Sequence, residues 1–117
     1  MEIKGCFRSK NSIVAYEEHY SGRITELGYA FYLFEGNGTV KRYLSGEAQP
    51  LDASHEAWEK SVGKVLVNNG FKYEFEIYAK MTKRTTHFSM KIIDSNNIEI
   101  TNLRTGETME YEKVSDL

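Results

Sequence analysis

The chain has 117 residues, of which 15 are basic and 17 acidic, for a formal charge of -2. One hydrophobic core is expected at this length, and 40% hydrophobic residues with a single proline exclude collagen-like, low-complexity and disordered classes. The near balance of charge leaves no overall attraction to nucleic acid or an anionic membrane, and a lone cysteine, Cys6, excludes an internal disulfide or a multi-thiolate metal site.

Met1 to Cys6 includes Glu2 and Lys4 where a secretory signal needs an apolar run of about 7–15 residues, so a cytoplasmic location is expected. No apolar run approaches the roughly 20 residues that cross a bilayer as a helix, so no membrane span is expected. Ile3 to Arg8 reads as a short strand. Asn11 to Tyr20 fits two states: Ile13, Val14, Tyr16 and Tyr20 suit a strand, whereas Ser12 could cap a helix carrying Glu17 and Glu18. The β-branched residues favour strand. Gly28 to Phe34 and Thr39 to Leu44 flank Glu35-Gly36-Asn37-Gly38, a hairpin signature. Ser45 to Ala57, which holds Pro50, reads as a loop with one short helical turn near 51–60. Trp58 to Val67 lacks clean alternation, and Gly63 marks a candidate bulge that would change which face points inward.

The second half is more regular. Val65-Leu66-Val67 meets Phe71 to Tyr78 across Asn68-Asn69-Gly70, and the latter segment carries apolar residues at odd positions with charges between them as far as Glu76. Thr85 to Ile93 places Phe88, Met90 and Ile92 on one face, Ile98 to Leu103 alternates again, and Thr108 to Val114 sets Met109 and Tyr111 against Thr108, Glu110 and Glu112. Asp94-Ser95-Asn96-Asn97 and Arg104-Thr105-Gly106-Glu107 supply the turns. The fold class is therefore all-β: one domain over 1–117, an antiparallel up-and-down meander of 8–9 strands. Closing it into a barrel pairs the edge strands and encloses the alternating apolar positions.

With the strands in place, Gly5-Cys6-Phe7, Phe31 to Val40, Trp58 with Gly63-Lys64-Val65, and Gly106 to Val114 together resemble the small bacterial lipocalin-like proteins of the calycin type, over nearly the whole chain. Phe7 stands where the usual lipocalin motif has tryptophan. The resemblance implies a barrel that holds a small apolar or amphipathic molecule in its interior, without catalysis.

An interior of eight strands is just wide enough to be filled by side chains or to hold one small ligand. By alternation Phe31, Leu33, Tyr73, Phe75, Met90, Ile100, Met109 and Tyr111 are the inward candidates. Phe31, Leu33, Tyr73, Phe75, Met90 and Tyr111 would form a ligand-binding wall, with tyrosine hydroxyls seeking polar partners. Arg42 shares the parity of Val40 and Leu44, which puts a guanidinium among apolar neighbours, where an anionic partner or a ligand carboxylate is required. The alternatives for Arg42 are a bulge or a place at the barrel mouth. Tyr32, Phe34, Tyr43 and Tyr78 are left on the outer face, a surface for a protein partner or a second copy.

Other chemistry has little support. His19, His55 and His87 have no metal-ligand spacing, and His55-Glu56-Ala57-Trp58-Glu59 lacks the second histidine of a zinc-protease helix, so no metal is expected. Cys6 has no evident base, no Gly-x-Ser-x-Gly elbow exists, and Gly36-Asn37-Gly38 precedes a strand rather than the helix of a phosphate site, so neither catalysis nor a cofactor is expected. Glu74 and Glu76 interrupt the basic and aromatic residues around them, against nucleic-acid binding. The expected function is non-enzymatic binding of a small hydrophobic or amphipathic ligand in the barrel. The alternative is a protein-interaction module, inhibitor or immunity-like, with a filled barrel and its function on the outer face or on the loops Ser45 to Ala57 or Lys80 to Arg84.

Overall fold

The computed structural model describes residues 3–19, 22–70 and 72–116. Tyr20 and Phe71, each named in an expected strand, lie outside them. Nine strands follow in order: β1 (Lys4–Ser9), β2 (Ile13–His19), β3 (Gly22–Glu35), β4 (Thr39–Ser45), β5 (Ser61–Asn68), β6 (Tyr73–Ala79), β7 (Arg84–Ile92), β8 (Asn97–Asn102) and β9 (Thr108–Ser115), with a 3-10 turn at Glu56–Lys60 before β5. Among the described residues no helix is long and apolar enough to cross a membrane.

Every ladder is antiparallel, and sequence neighbours pair from β2 through β9. The sheet closes because β1 pairs on both edges, with β3 through Lys4↔Glu35 to Arg8↔Phe31 and with β9 through Cys6↔Ser115 to Ser9↔Tyr111. Eight strands form this closed wall. The fourteen-residue β3 exceeds the wall, and its first half, Gly22 to Gly28, pairs with β2 instead. The segment that fitted strand or helix is therefore a strand, as its β-branched residues favour.

The turns follow their local chemistry. Gly36 and Gly38 take φ of 83° and 92° between β3 and β4, while the Asn37 side chain accepts from the Thr39 amide at 2.9 Å. Between β5 and β6, Gly70 has φ of 86° and Asn69 Oδ1 accepts from the Lys72 amide at 2.9 Å. In each case a residue that tolerates positive φ reverses the chain within a few residues.

Gly63 is not where the register shifts. It pairs in sequence with Ile77, and the shift comes between Val65 and Val67, which turns Val65 toward the interior and leaves Leu66 exposed. What Gly63 permits is close approach of strands: a Cβ there would overlap the Glu76 carbonyl group.

Two apolar clusters result. The barrel interior holds Phe7, Ala30, Tyr32, Phe34, Val40, Tyr73, Phe75, Ile77, Phe88, Met90, Ile98, Ile100 and Tyr111, with Val65, Ile92 and Met109 packed against them. A second cluster lies outside the wall, where Cys6, Phe31, Leu33 and Tyr43 meet Trp58. The connection from β4 to β5 crosses the outer face of β3 and β4 as a strap. Trp58, fully buried, sets its ring edge-on to Tyr43 at 4.3 Å, and Tyr43 stacks on Phe31 at 4.8 Å. Polar ties fix the strap: the Leu51 amide donates to Tyr43 Oη at 2.8 Å, Trp58 Nε1 to the Asp52 carbonyl at 3.1 Å, and Arg8 Nη1 to the Ala48 carbonyl at 3.2 Å.

Trp58→Ala removes the ring that covers this outer cluster and should cost about 3–5 kcal/mol, while Gly63→Ala, which forces β5 away from β6, should cost at least about 2 kcal/mol. Urea unfolding followed by far-ultraviolet circular dichroism measures both. A loss under about 1 kcal/mol for either variant would contradict the packing described.

Candidate functional site

The middle of the barrel is occupied by rings. Tyr32 meets Phe75, Phe88 and Tyr111 edge-on at 5.7, 5.9 and 5.2 Å, Phe75 stacks on Phe88 at 5.2 Å, and Phe34 lies edge-on to Phe75 at 5.5 Å. Toward the end where β3 turns into β4, a cleft of about 90 Å³ remains between Ile3, Phe34, Val65 and Tyr73. That is well below the roughly 300 Å³ at which ligand pockets begin. Beyond it, a hollow of about 360 Å³ open to solvent runs past Tyr73, Met90 and Ile92 to Lys72 and Lys91.

The residues expected to form one ligand wall are thus divided. Phe75 is in the middle, Tyr73 and Met90 are at the end with the cleft, and Arg42 and Tyr111 come together elsewhere. Phe31 and Leu33 are not in the interior: they face outward and are buried by the strap. Their inward expectation fails because every position from Tyr29 to Phe34 is apolar, so alternation has no polar residue with which to mark the outer face. Tyr32 and Phe34, expected outside, are the inward residues of β3, each 1% exposed. Tyr43 faces outward but is covered by Trp58, and of the four expected outer aromatics Tyr78 alone is exposed.

Arg42 and Tyr32 are directly opposite across the β3–β4 ladder, on its inward face. Arg42 Nε donates to Tyr32 Oη at 3.1 Å and its guanidinium carbon sits 5.6 Å from the Tyr32 ring centre. Tyr111, on β9, sets its ring edge-on to that of Tyr32. Arg42, Tyr32 and Tyr111 thus lie together, the first two joined by a hydrogen bond and the last two by their rings. Burial opposes the charge of Arg42, but the phenol oxygens of Tyr32 and Tyr111 outweigh it and hold the guanidinium above its ordinary pKa. Burial first, and Tyr32 beside it, push the Tyr111 phenol well above its ordinary value.

No carboxylate among the described residues forms an ion pair with Arg42. Nor does any buried side-chain nitrogen or oxygen among them lack a partner. The side chain is half-buried, and Nε is the donor that it gives to Tyr32. β4 and β5 pair through Thr39, Val40 and Lys41, so Arg42 stands just past the end of that ladder.

Residues with other chemistry are engaged structurally. Cys6 is buried among Phe31, Leu33, Tyr43 and Trp58, and burial pushes its thiol up to about 12. His55 Nδ1 accepts from the Ala57 amide and caps the 3-10 turn, while exposed His87 sits 3.1 Å from Glu76, its cross-strand partner. Glu74 lies 3.4 Å from Lys72 and Glu76 3.9 Å from Lys64. Among the described residues no three His, Cys, Asp or Glu side chains converge as a metal site would require. No protein-family model, curated protein or solved structure matches the chain.

The Cys6 thiol supplies a pH test. Its folded pKa lies above the unfolded value of 9.0, so its contribution to stability is complete below pH 9.0 and is lost as pH rises toward about 12, because the unfolded chain releases that proton first. Unfolding free energy should decline across that window, and Cys6→Ala should flatten the decline. Rapid labelling of the native thiol by a disulfide reagent at neutral pH would contradict its burial.

Proposed function

We propose that the chain is a non-enzymatic binding domain that takes a carboxylate at the Arg42 end of a filled barrel, the rest of the ligand lying against the mouth. The observation that supports this most directly is the cation itself. A half-buried guanidinium costs desolvation energy that an ion pair ordinarily offsets, and here Nε is held by Tyr32 while no carboxylate among the described residues forms an ion pair with the fork. That is the geometry for receiving an anion in two parallel hydrogen bonds. The lipocalin-like build suits the reading, and the filled middle sets its limit, since a long apolar tail has no described space beneath Tyr32.

A protein-interaction module is the rival reading. The filled interior favours it, but the outer aromatic face on which it relied is reduced to Tyr78, and the Ser45 to Ala57 loop is tied down by its own packing.

Calorimetric titration with a series of carboxylates and their uncharged alcohol analogues tests the proposal. Carboxylates should bind and alcohols should not. Arg42→Met should weaken binding roughly 10- to 100-fold, the value of a charge-assisted hydrogen bond, and Arg42→Lys should recover little of it because an ammonium cannot present the fork. Arg42→Met should at the same time leave stability unchanged or raise it by up to about 1 kcal/mol. Undiminished carboxylate binding in Arg42→Met, or alcohols binding as well as carboxylates, would remove Arg42 from the role.

A further inference from the structure

Two neighbouring turns at the Arg42 end of the barrel carry a different pattern. The turn from β6 to β7 contains Lys80, Met81, Thr82 and Lys83 and runs into Arg84, and the turn from β8 to β9 contains Leu103 and Arg104. Met81 is 68% exposed and Leu103 50%, the two most exposed large apolar side chains among the described residues. Tyr78, on the outer side of β6 just below the first turn, is 42% exposed.

The turns are adjacent but end at different heights. The Leu103 amide donates to the His87 carbonyl at 3.0 Å, which sets the second turn beside β7. The β6–β7 ladder continues to Ala79↔Arg84, so the first turn stands roughly 10 Å further out. The turns themselves carry mostly cations. Lys80, Lys83, Arg84 and Arg104 stand on or beside turns that themselves contain one acid, Glu107; Lys80 also lies near Glu59, and none of these four cations forms an ion pair among the described residues. Lys60, whose carbonyl accepts from the Lys80 amide at 3.0 Å, adds a further cation, and neighbouring Glu59 is held by Lys41 at 2.8 Å. In a chain whose formal charge is -2, this concentration is local.

We infer that the two turns dock on an anionic lipid surface, with Met81 and Leu103 entering the interface and the lysines and arginines contacting headgroups. Charge complementarity supplies the attraction. Shape selects lipid over an acidic protein: the two exposed apolar groups belong to turns that end at different heights, and a rigid partner would need two receiving pockets at two depths. A fluid interface accepts both. Tyr78 then lies at the level where an amphipathic ring is favourable, apolar body inward and hydroxyl to water.

The test is co-sedimentation of the full chain with vesicles of phosphatidylcholine alone and of phosphatidylcholine mixed with phosphatidylserine, at low and raised salt. The chain should partition onto the mixed vesicles and release as salt rises. The triple variant Lys80→Gln, Lys83→Gln, Arg84→Gln should lose on the order of 100-fold in partition, and Met81→Ser roughly tenfold. A charge-matched triple at the far end of the barrel, Lys4→Gln, Lys72→Gln, Lys91→Gln, should bind as the parent does, and near-ultraviolet circular dichroism confirms that each variant is folded. Absence of the parent from mixed vesicles at low salt, or equal losses in both triples, overturns the inference. So does turn-dependent binding to soluble poly-L-glutamate without vesicle binding, which would assign the turns to an acidic protein.

Discussion

The barrel depends on β1 being held along both edges. Six residues, Lys4–Ser9, complete the circle between β3 and β9, and without them the sheet would end in two open edges with its apolar face in water. The register shifts between Cys6 and Phe7 where β1 meets β9, and Gly5 takes φ of 127° just before it, where a Cβ would press on the Ser115 carbonyl and the Lys113 side chain. That bend lets Phe7 enter the barrel while adjacent Cys6 points to the outer cluster, so one short strand supplies both cores. At its far end buried Ser9 accepts from the Ala30 amide at 3.2 Å, a side chain standing in for a ladder bond where β1 leaves β3.

How much of this could be read from residue order depends on whether a strand is buried on one side or two. β6, β7, β8 and β9 each show polar residues to solvent, so Tyr73, Phe75, Met90, Ile100, Met109 and Tyr111 announce their inward direction by contrast. β3 is covered on both faces, inside by the barrel and outside by the strap, and Tyr29 to Phe34 gives no contrast at all. The strap itself has no period to betray it. Its hold comes from Trp58, Tyr43 and backbone carbonyls far apart in sequence, a tertiary arrangement without local signature.

The orientation of β3 was nevertheless implicit in the hairpin. A turn centred on Asn37 pairs Tyr32 with Arg42 and Phe31 with Tyr43, and directly opposed residues share a face. An inward Arg42 therefore requires an inward Tyr32, and an inward Phe31 cannot coexist with it. Parity along one strand located the guanidinium, and parity across the turn would have found its phenol partner. Tyr111 needs the closure through β1 as well, since β9 reaches β3 only through that strand.

Polar groups in this barrel are settled in two different ways, and the difference separates structure from candidate function. Ser9, Tyr43 and Trp58 each spend their hydrogen-bonding capacity on a backbone group that burial would otherwise strand, so their partners are internal and complete. Arg42 spends one donor on Tyr32 and stands just past the end of the β4–β5 ladder, with no carboxylate among the described residues paired to it. An apolar side chain of similar length would fill that position without the desolvation cost, and the packing of Phe75 and Phe88 beneath does not call for a charge.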